Sequence, residues 1–280
     1  MNYLITGKNL VKFDLIKRIV TSLILLPIVI SVIILGSYLF FISILLLVAF
    51  ASYEMSRVVR LWGYDISSFW SVVLSVLLTS IIHFNASSFN ENIWLILTLQ
   101  IGIFISLICF LKPNLIQLKI KDYLFNIALV IYISGILSHL LLARYMENSI
   151  NIILFVMLVI FASDTSAFLF GKTLGKRKLA PKISPSKTYE GAIAGVIAAS
   201  IMAFSASLYF ELNIRFIYVI LLGILIGIIA QTGDILESKF KRRANLTNSS
   251  EILPGHGGVL DRLDSVALNL LLLYYFLLWY

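Results

Sequence analysis

One cysteine, Cys109, stands in the whole chain, so no disulfide can form within it and thiol redox chemistry has no pair to work with. Charge is scarce as well. Asp, Glu, Lys and Arg make up 13% of the 280 residues, against about 25% in soluble domains. Histidine occurs three times, with no His or Cys cluster of zinc-ligand spacing, and no serine has a partner base that would mark it as a nucleophile. Internal repeats and low-complexity tracts are lacking. The first apolar run, which starts after residue 18, lacks a small-residue cleavage site and is too long for a signal peptide, so it reads as a retained first span.

What fills the chain is apolar sequence, at 60% of residues. That composition predicts an all-α polytopic integral membrane protein of about nine transmembrane helices. The apolar runs fall at about 19–36, 38–53, 66–84, 92–111, 123–143, 150–170, 191–210, 216–233 and 264–280. Residues 19–53 carry no charge, and one helix over them would rise roughly 50 Å against a hydrocarbon core of about 30 Å. Gly36-Ser37 is the natural hairpin point, and Pro27 is expected to kink the first span. With that break, 20 of the 22 basic residues fall on one side, leaving Arg144 and Arg215 on the other. The asymmetry places the N-terminus in the cytoplasm and the C-terminus outside. It also accounts for the net charge of +8 without nucleic acid. The chain divides into an N-terminal transmembrane region, 1–150, of about five spans and a C-terminal catalytic region, 151–280, of about four.

Chemistry collects in the second region. Within the first, His83 and His139 are the ionisable residues expected inside spans, and both read as hydrogen-bonded packing residues. Asp164, in SDTSAFLFG, lies about eight residues from Lys172, roughly 12 Å deep in a helix, where a carboxylate needs a cavity, a cation or a partner. In SPSKTYEG, Ser184 and Pro185 read as an N-cap and first helical position, with Lys187 and Thr188 beside free amides that favour a phosphate. Asp234, Glu237, Ser238 and Lys241 follow i, i+3, i+4, i+7 spacing, so a helix carries them on one face, bordered by Arg242. In PGHGGVLDRLDS, Gly255, Gly257 and Gly258 let backbone approach a ligand, and Asp261 and Asp264 flank Arg262. Helix capping needs one acid; two, with Asp234 returning to the same boundary, exceed it. Hard carboxylate oxygens suit Mg²⁺ and the surrounding Lys and Arg suit phosphate. The set describes metal-assisted phosphate chemistry at a membrane boundary.

The run from Ser238 through Lys241-Arg242 to LPGHGGVLDRLD resembles the signature of phosphatidate cytidylyltransferases, also called CDP-diacylglycerol synthases. SDTSAFLFG and SPSKTYEG are similar to that family's other segments, in the same order, so that the resemblance covers about residues 160–265. The resemblance implies that CTP and phosphatidate give CDP-diacylglycerol and pyrophosphate, with Mg²⁺ as cofactor, on the cytoplasmic face of the inner (plasma) membrane. It assigns Asp234 and Asp261 to the metal, with Asp264, Lys241 and Arg242 completing a catalytic group. Substrates would be bound by Asp164, Ser184, Lys187, Thr188, Glu190, Ser238 and Arg262, with His256, Gly257 and Gly258 on the nucleotide side. The partners implied are the two substrates and the bilayer, with no nucleic acid and room for a homodimer. One departure is visible: the family's Lys-Asp pair is replaced by Thr247 and Asn248, which removes one charge of each sign. Other readings are a CTP-using lipid kinase, a relative with another lipid acceptor, an inactive binding scaffold, and an ion-coupled transporter. A transporter would place ionisable groups near the midplane of both halves.

Overall fold

A computed structural model describes residues 21, 23–86, 93–111, 120–252 and 257–279. Among them are nine helices: α1 Leu23–Leu35, α2 Ser37–Leu61, α3 Ser68–Phe84, α4 Ile93–Leu111, α5 Lys121–Arg144, α6 Ser149–Thr173, α7 Tyr189–Tyr209, α8 Phe216–Arg243 and α9 Leu260–Trp279. Five of them, α2, α5, α6, α7 and α8, are long and apolar enough to cross a membrane. At 21 to 28 residues they rise about 32–42 Å. The chain is an all-α, multi-pass membrane protein.

The break between α1 and α2 falls at Gly36, where φ is +60° and ψ is −142°, a conformation only glycine adopts cheaply. Arg144, at the end of α5, lies against that glycine. At the opposite end of α2, Trp62 donates from Nε1 to the Phe240 carbonyl at 3.2 Å, and the Arg243 guanidinium lies 4.9 Å from its ring centre. Lys121, at the start of α5, faces the Tyr64 ring at that same end. Among the described residues, the fold thus brings Lys121 and Arg243 to one end of the bundle and leaves Arg144 at the other.

The core is continuous across the sequence. Phe110 and Phe240 pack edge to face with each other and with Trp62 and Tyr132, joining α4, α5 and α8 to the end of α2. Helix α5 packs on α2, α3, α4 and α9, so helices from before residue 150 line the last one. Helices α7 and α8 cross closely: a Cβ on Gly223 would come within 2.7 Å of the Ser200 Cα, the small-residue contact that lets membrane helices approach.

One helix runs on past its apolar run, as the spacing from Asp234 to Lys241 requires, and one boundary differs from the sequence expectation. The eighth apolar run ends near residue 233, yet α8 continues to Arg243, because the charges at its end pair with one another and with α9. Ser184 and Pro185 do not start a helix. They lie in β2, Ser184–Thr188, which pairs antiparallel with β1, Lys178–Ala180. The N-cap of α7 is Thr188, whose Oγ1 accepts from the Gly191 amide at 3.1 Å. Proline fits a short edge strand as well as a first helical turn, and pairing with β1 decided between them.

Candidate active site

The site forms where the C-terminal parts of α2, α6 and α8 meet the first turns of α7 and α9. Helix α8 carries Asp234, Glu237, Ser238 and Lys241 on one face, as their spacing requires. Lys241 is buried and bridges two helices: its Nζ lies 2.6 Å from Asp261 Oδ1 and 3.1 Å from Glu237 Oε1. Asp261, 8% exposed, is held on every side. Besides Lys241 it accepts from the Gly258 amide at 2.8 Å, from the Ser249 amide at 3.0 Å and from the Ser249 hydroxyl at 3.1 Å. Gly257 supplies the turn before it, at φ +82°, with Asn248 alongside.

A second ion pair stands nearby. Asp234 Oδ2 lies 2.6 Å from Lys187 Nζ, and the Ser238 hydroxyl donates to Asp234 Oδ1 at 3.4 Å. Asp164 on α6 lies beside the Ser265 side chain and is close enough to Asp234 and Lys187 to feel both charges. Asp264 accepts from the Ser265 amide at 2.7 Å and feels Asp234 and Asp164. Asp264 and Glu237 also line a cavity of about 30 Å³ between α5, α8 and α9, facing Tyr132. That is room for about one water molecule.

The remaining predicted residues sort by place. Thr188 caps α7. Glu190 accepts from the Lys176 and Arg177 amides at 3.0 and 3.2 Å, which pins the β1–β2 hairpin to the start of α7. Arg242 donates from Nε to the Ile183 carbonyl at 3.1 Å and from Nη1 to the Leu246 carbonyl at 2.9 Å, so it ties the hairpin to the chain that leaves α8. Ser184 is buried in β2, and Arg262 is exposed on the first turn of α9. Thr247 and Asn248 are both exposed. His256 and Gly255 lie outside the described residues.

One residue at the site comes from the first half and was not anticipated. Glu54, wholly buried on α2, accepts hydrogen bonds from the Ser249 and Ser250 hydroxyls and from the Val259 and Leu260 amides. His83 and His139 are therefore not the only ionisable residues within the first-half spans. Glu54 follows directly on an apolar run read as ending at residue 53, so it resembled a boundary charge. The two histidines do pack through hydrogen bonds, His139 with the Gly135 carbonyl and Gln100 and His83 with Tyr145.

The geometry fixes how closely α8 and α9 meet. A Cβ on Gly233 would collide with the Asp264 carbonyl, a backbone atom that cannot swing aside. Gly233→Ala is expected to push α8 off α9, moving Asp234 from Asp264 and lowering the melting temperature in detergent by several degrees. The backbone clash is worth about 1–3 kcal/mol. An unchanged melting curve would show that the contact is slack.

The sequence model described as the cytidylyltransferase family matches residues 16–280. This chain belongs to that family. The similarity to individual relatives is concentrated in part of its length. It is 38% identical to a phosphatidate cytidylyltransferase of Bacillus subtilis (strain 168) over 148 residues, 52% of this chain and 55% of that protein. It is 42% identical to one of Staphylococcus haemolyticus over 119 residues, 42% of this chain and 46% of that protein. It is 39% identical to one of Haemophilus influenzae over 147 residues, 49% of this chain and 50% of that protein. The chain thus spans about half the length of the curated relatives it matches. The family gives the acid-and-lysine array a chemical context in nucleotide transfer.

Among the described residues, no three acidic or histidine side chains converge tightly enough to cage a metal ion by themselves. Mg²⁺ does not need that. It is commonly held by one or two carboxylates, with water and substrate phosphates filling its octahedron. The donor set fits such an ion. Glu54, Asp164, Asp234, Glu237, Asp261 and Asp264 crowd one region in which Lys187 and Lys241 supply the ion-paired positive charge. Asp234 and Asp261 each rest on one of those lysines.

Proposed function

We propose that the chain is a CTP:phosphatidate cytidylyltransferase, joining CTP and phosphatidate to give CDP-diacylglycerol and pyrophosphate. The observation that carries the reading is the pairing of Asp234 with Lys187 and of Asp261 with Lys241, at the basic end of the bundle, within a chain that matches the cytidylyltransferase family. Curated relatives named phosphatidate cytidylyltransferase point to the acceptor. The basic end faces the cytoplasm by the charge asymmetry, in a bundle of nine spans in a bacterial inner membrane.

A phosphatidate oxygen is already anionic near neutral pH, so its attack on the α-phosphorus of CTP needs no strong base. The obstacle is the charge of the two substrates. Lys187 and Lys241 hold carboxylates when alone, and can turn to phosphate oxygens once substrate arrives. Asp234 and Asp261 would then hold Mg²⁺, which supplies charge neutralisation and polarises the α-phosphoryl group when bound. Arg242 and Arg262 add positive charge at the exposed rim, while Thr188 and Glu190 hold the hairpin that carries Lys187. Catalysis on this view is placement and electrostatics, as in phosphoryl transfer generally.

Purified protein supplied with CTP, phosphatidate and Mg²⁺ is expected to form CDP-diacylglycerol and pyrophosphate in equal amounts. Chelation with EDTA is expected to stop it, and added Mg²⁺ to restore it. Turnover that persists in EDTA would remove the metal from the proposal.

A further inference from the structure

Glu54 is a carboxylate with no exposed surface on an apolar helix, far in sequence from everything it touches. Each of its oxygens takes one hydroxyl and one backbone amide. Oε1 accepts from Ser250 Oγ at 2.6 Å and from the Val259 amide at 2.9 Å. Oε2 accepts from Ser249 Oγ at 2.7 Å and from the Leu260 amide at 2.8 Å. These donors lie in the chain that leaves α8, at Ser249 and Ser250, and where it enters α9, at Val259 and Leu260. The same two places hold Asp261, through the Ser249 amide and the Gly258 amide. Glu54 and Asp261 therefore both hold the segment, with Ser249 touching both. Gly258 is required between them, because a Cβ there would collide with Ser249 Oγ and with both Glu54 oxygens.

We infer that Glu54 is a positioning residue for the cytidylyl-transfer site, acting through the Ser249–Ser250 and Val259–Leu260 segments to fix Asp261. The inference rests on the proposed reaction for its kinetic consequences, and on geometry alone for the structural ones. It also gives the first half of the chain a part in the site. Where the family's Lys-Asp pair is replaced by Thr247-Asn248, both exposed, the next two residues are the buried serines that grip Glu54.

Glu54→Gln tests this without changing size. The glutamine keeps one acceptor oxygen and turns the other position into an NH₂ group. A serine hydroxyl can rotate to accept from that group, whereas the Val259 or Leu260 amide facing it cannot. Amide exchange in peptides covering Ser249–Ser250 and Gly257–Leu260 is expected to rise about tenfold or more, beyond any rise in peptides elsewhere in the bundle. The Mg²⁺ concentration for half-maximal turnover is expected to rise about tenfold, the scale of losing a ligand's supporting partner. The KM for phosphatidate should hold, and Glu54→Asp should recover part of the loss by restoring the charge. Unchanged exchange with unchanged Mg²⁺ dependence would overturn the inference. So would a uniform loss of active protein with every KM unaltered, since that is what a purely structural residue gives. Should Glu54→Gln fail to fold, Ser250→Ala removes one donor and is expected to shift both readouts the same way, to a smaller extent; no shift would overturn the inference. If the parent shows no cytidylyl transfer, the reaction fails, while the exchange measurement still decides whether Glu54 holds the segment.

Discussion

Asp261→Asn is expected to lower kcat/KM for CTP by roughly 10²–10³-fold and to destabilise the protein as well. The reason lies in its contacts. One carboxylate oxygen takes Lys241, and the other takes the Gly258 amide and the Ser249 hydroxyl. An asparagine in either orientation turns an NH₂ group toward donors that need an acceptor, and leaves Glu237 as the carboxylate still paired with Lys241. Asp234→Asn provides the contrast. Asp234 is half-exposed and, among the described residues, meets Lys187 and the Ser238 hydroxyl at close range. Its replacement is expected to cost a similar factor in turnover with little change in melting temperature. Steady-state kinetics beside thermal unfolding in detergent separates the two. CDP-diacylglycerol formation that survives both substitutions would end the metal assignment to these residues.

Lys241→Met is expected to be the most destabilising single change at the site. It leaves Glu237 and Asp261 buried without their shared cation, and breaking a buried pair from one side costs about 3–5 kcal/mol. Glu237 has the least to fall back on, since neither of its oxygens has a hydrogen bond of good geometry and the ion pair is its main support. Adding Glu237→Gln to Lys241→Met removes one of the stranded charges. The double variant is expected to recover part of the lost stability and none of the activity. Unfolding midpoints of the two single variants and the double variant measure this directly. A Lys241→Met protein as stable as its parent would mean that the buried pair contributes nothing.

The sequence showed the second-half acids well because their chemistry is conspicuous there. Asp164, Asp234, Asp261 and Asp264 interrupt apolar helices, and carboxylates in such places stand out against composition. The i, i+3, i+4, i+7 spacing from Asp234 to Lys241 also survived into the structure, on a helix longer than the apolar run that announced it. Hydropathy stops at the first charges, while helical hydrogen bonding does not. Glu54 was hidden for the same reason: at the edge of an apolar run a charged residue looks like the water boundary, and only the fold of α9 against α2 reveals its four donors. The Ser184–Thr188 strand was hidden differently, since its partner is a three-residue strand without a pattern of its own. Which lysine meets which aspartate lay beyond the sequence altogether, because Lys187 and Asp234 are 47 positions apart and joined only by the crossing of β2 and α8.

The central claim is that CMP passes from CTP to a lipid phosphate at the Asp234 and Asp261 site. It is tested most directly by supplying the purified protein with phosphatidate, Mg²⁺ and CTP labelled either at the α-phosphorus or at the γ-phosphorus. Cytidylyl transfer predicts that the α-label enters the lipid, the γ-label leaves in pyrophosphate, and neither moves in Asp234→Asn. A γ-label found in the lipid, or an α-label that never enters it while the protein still binds CTP, would contradict the claim.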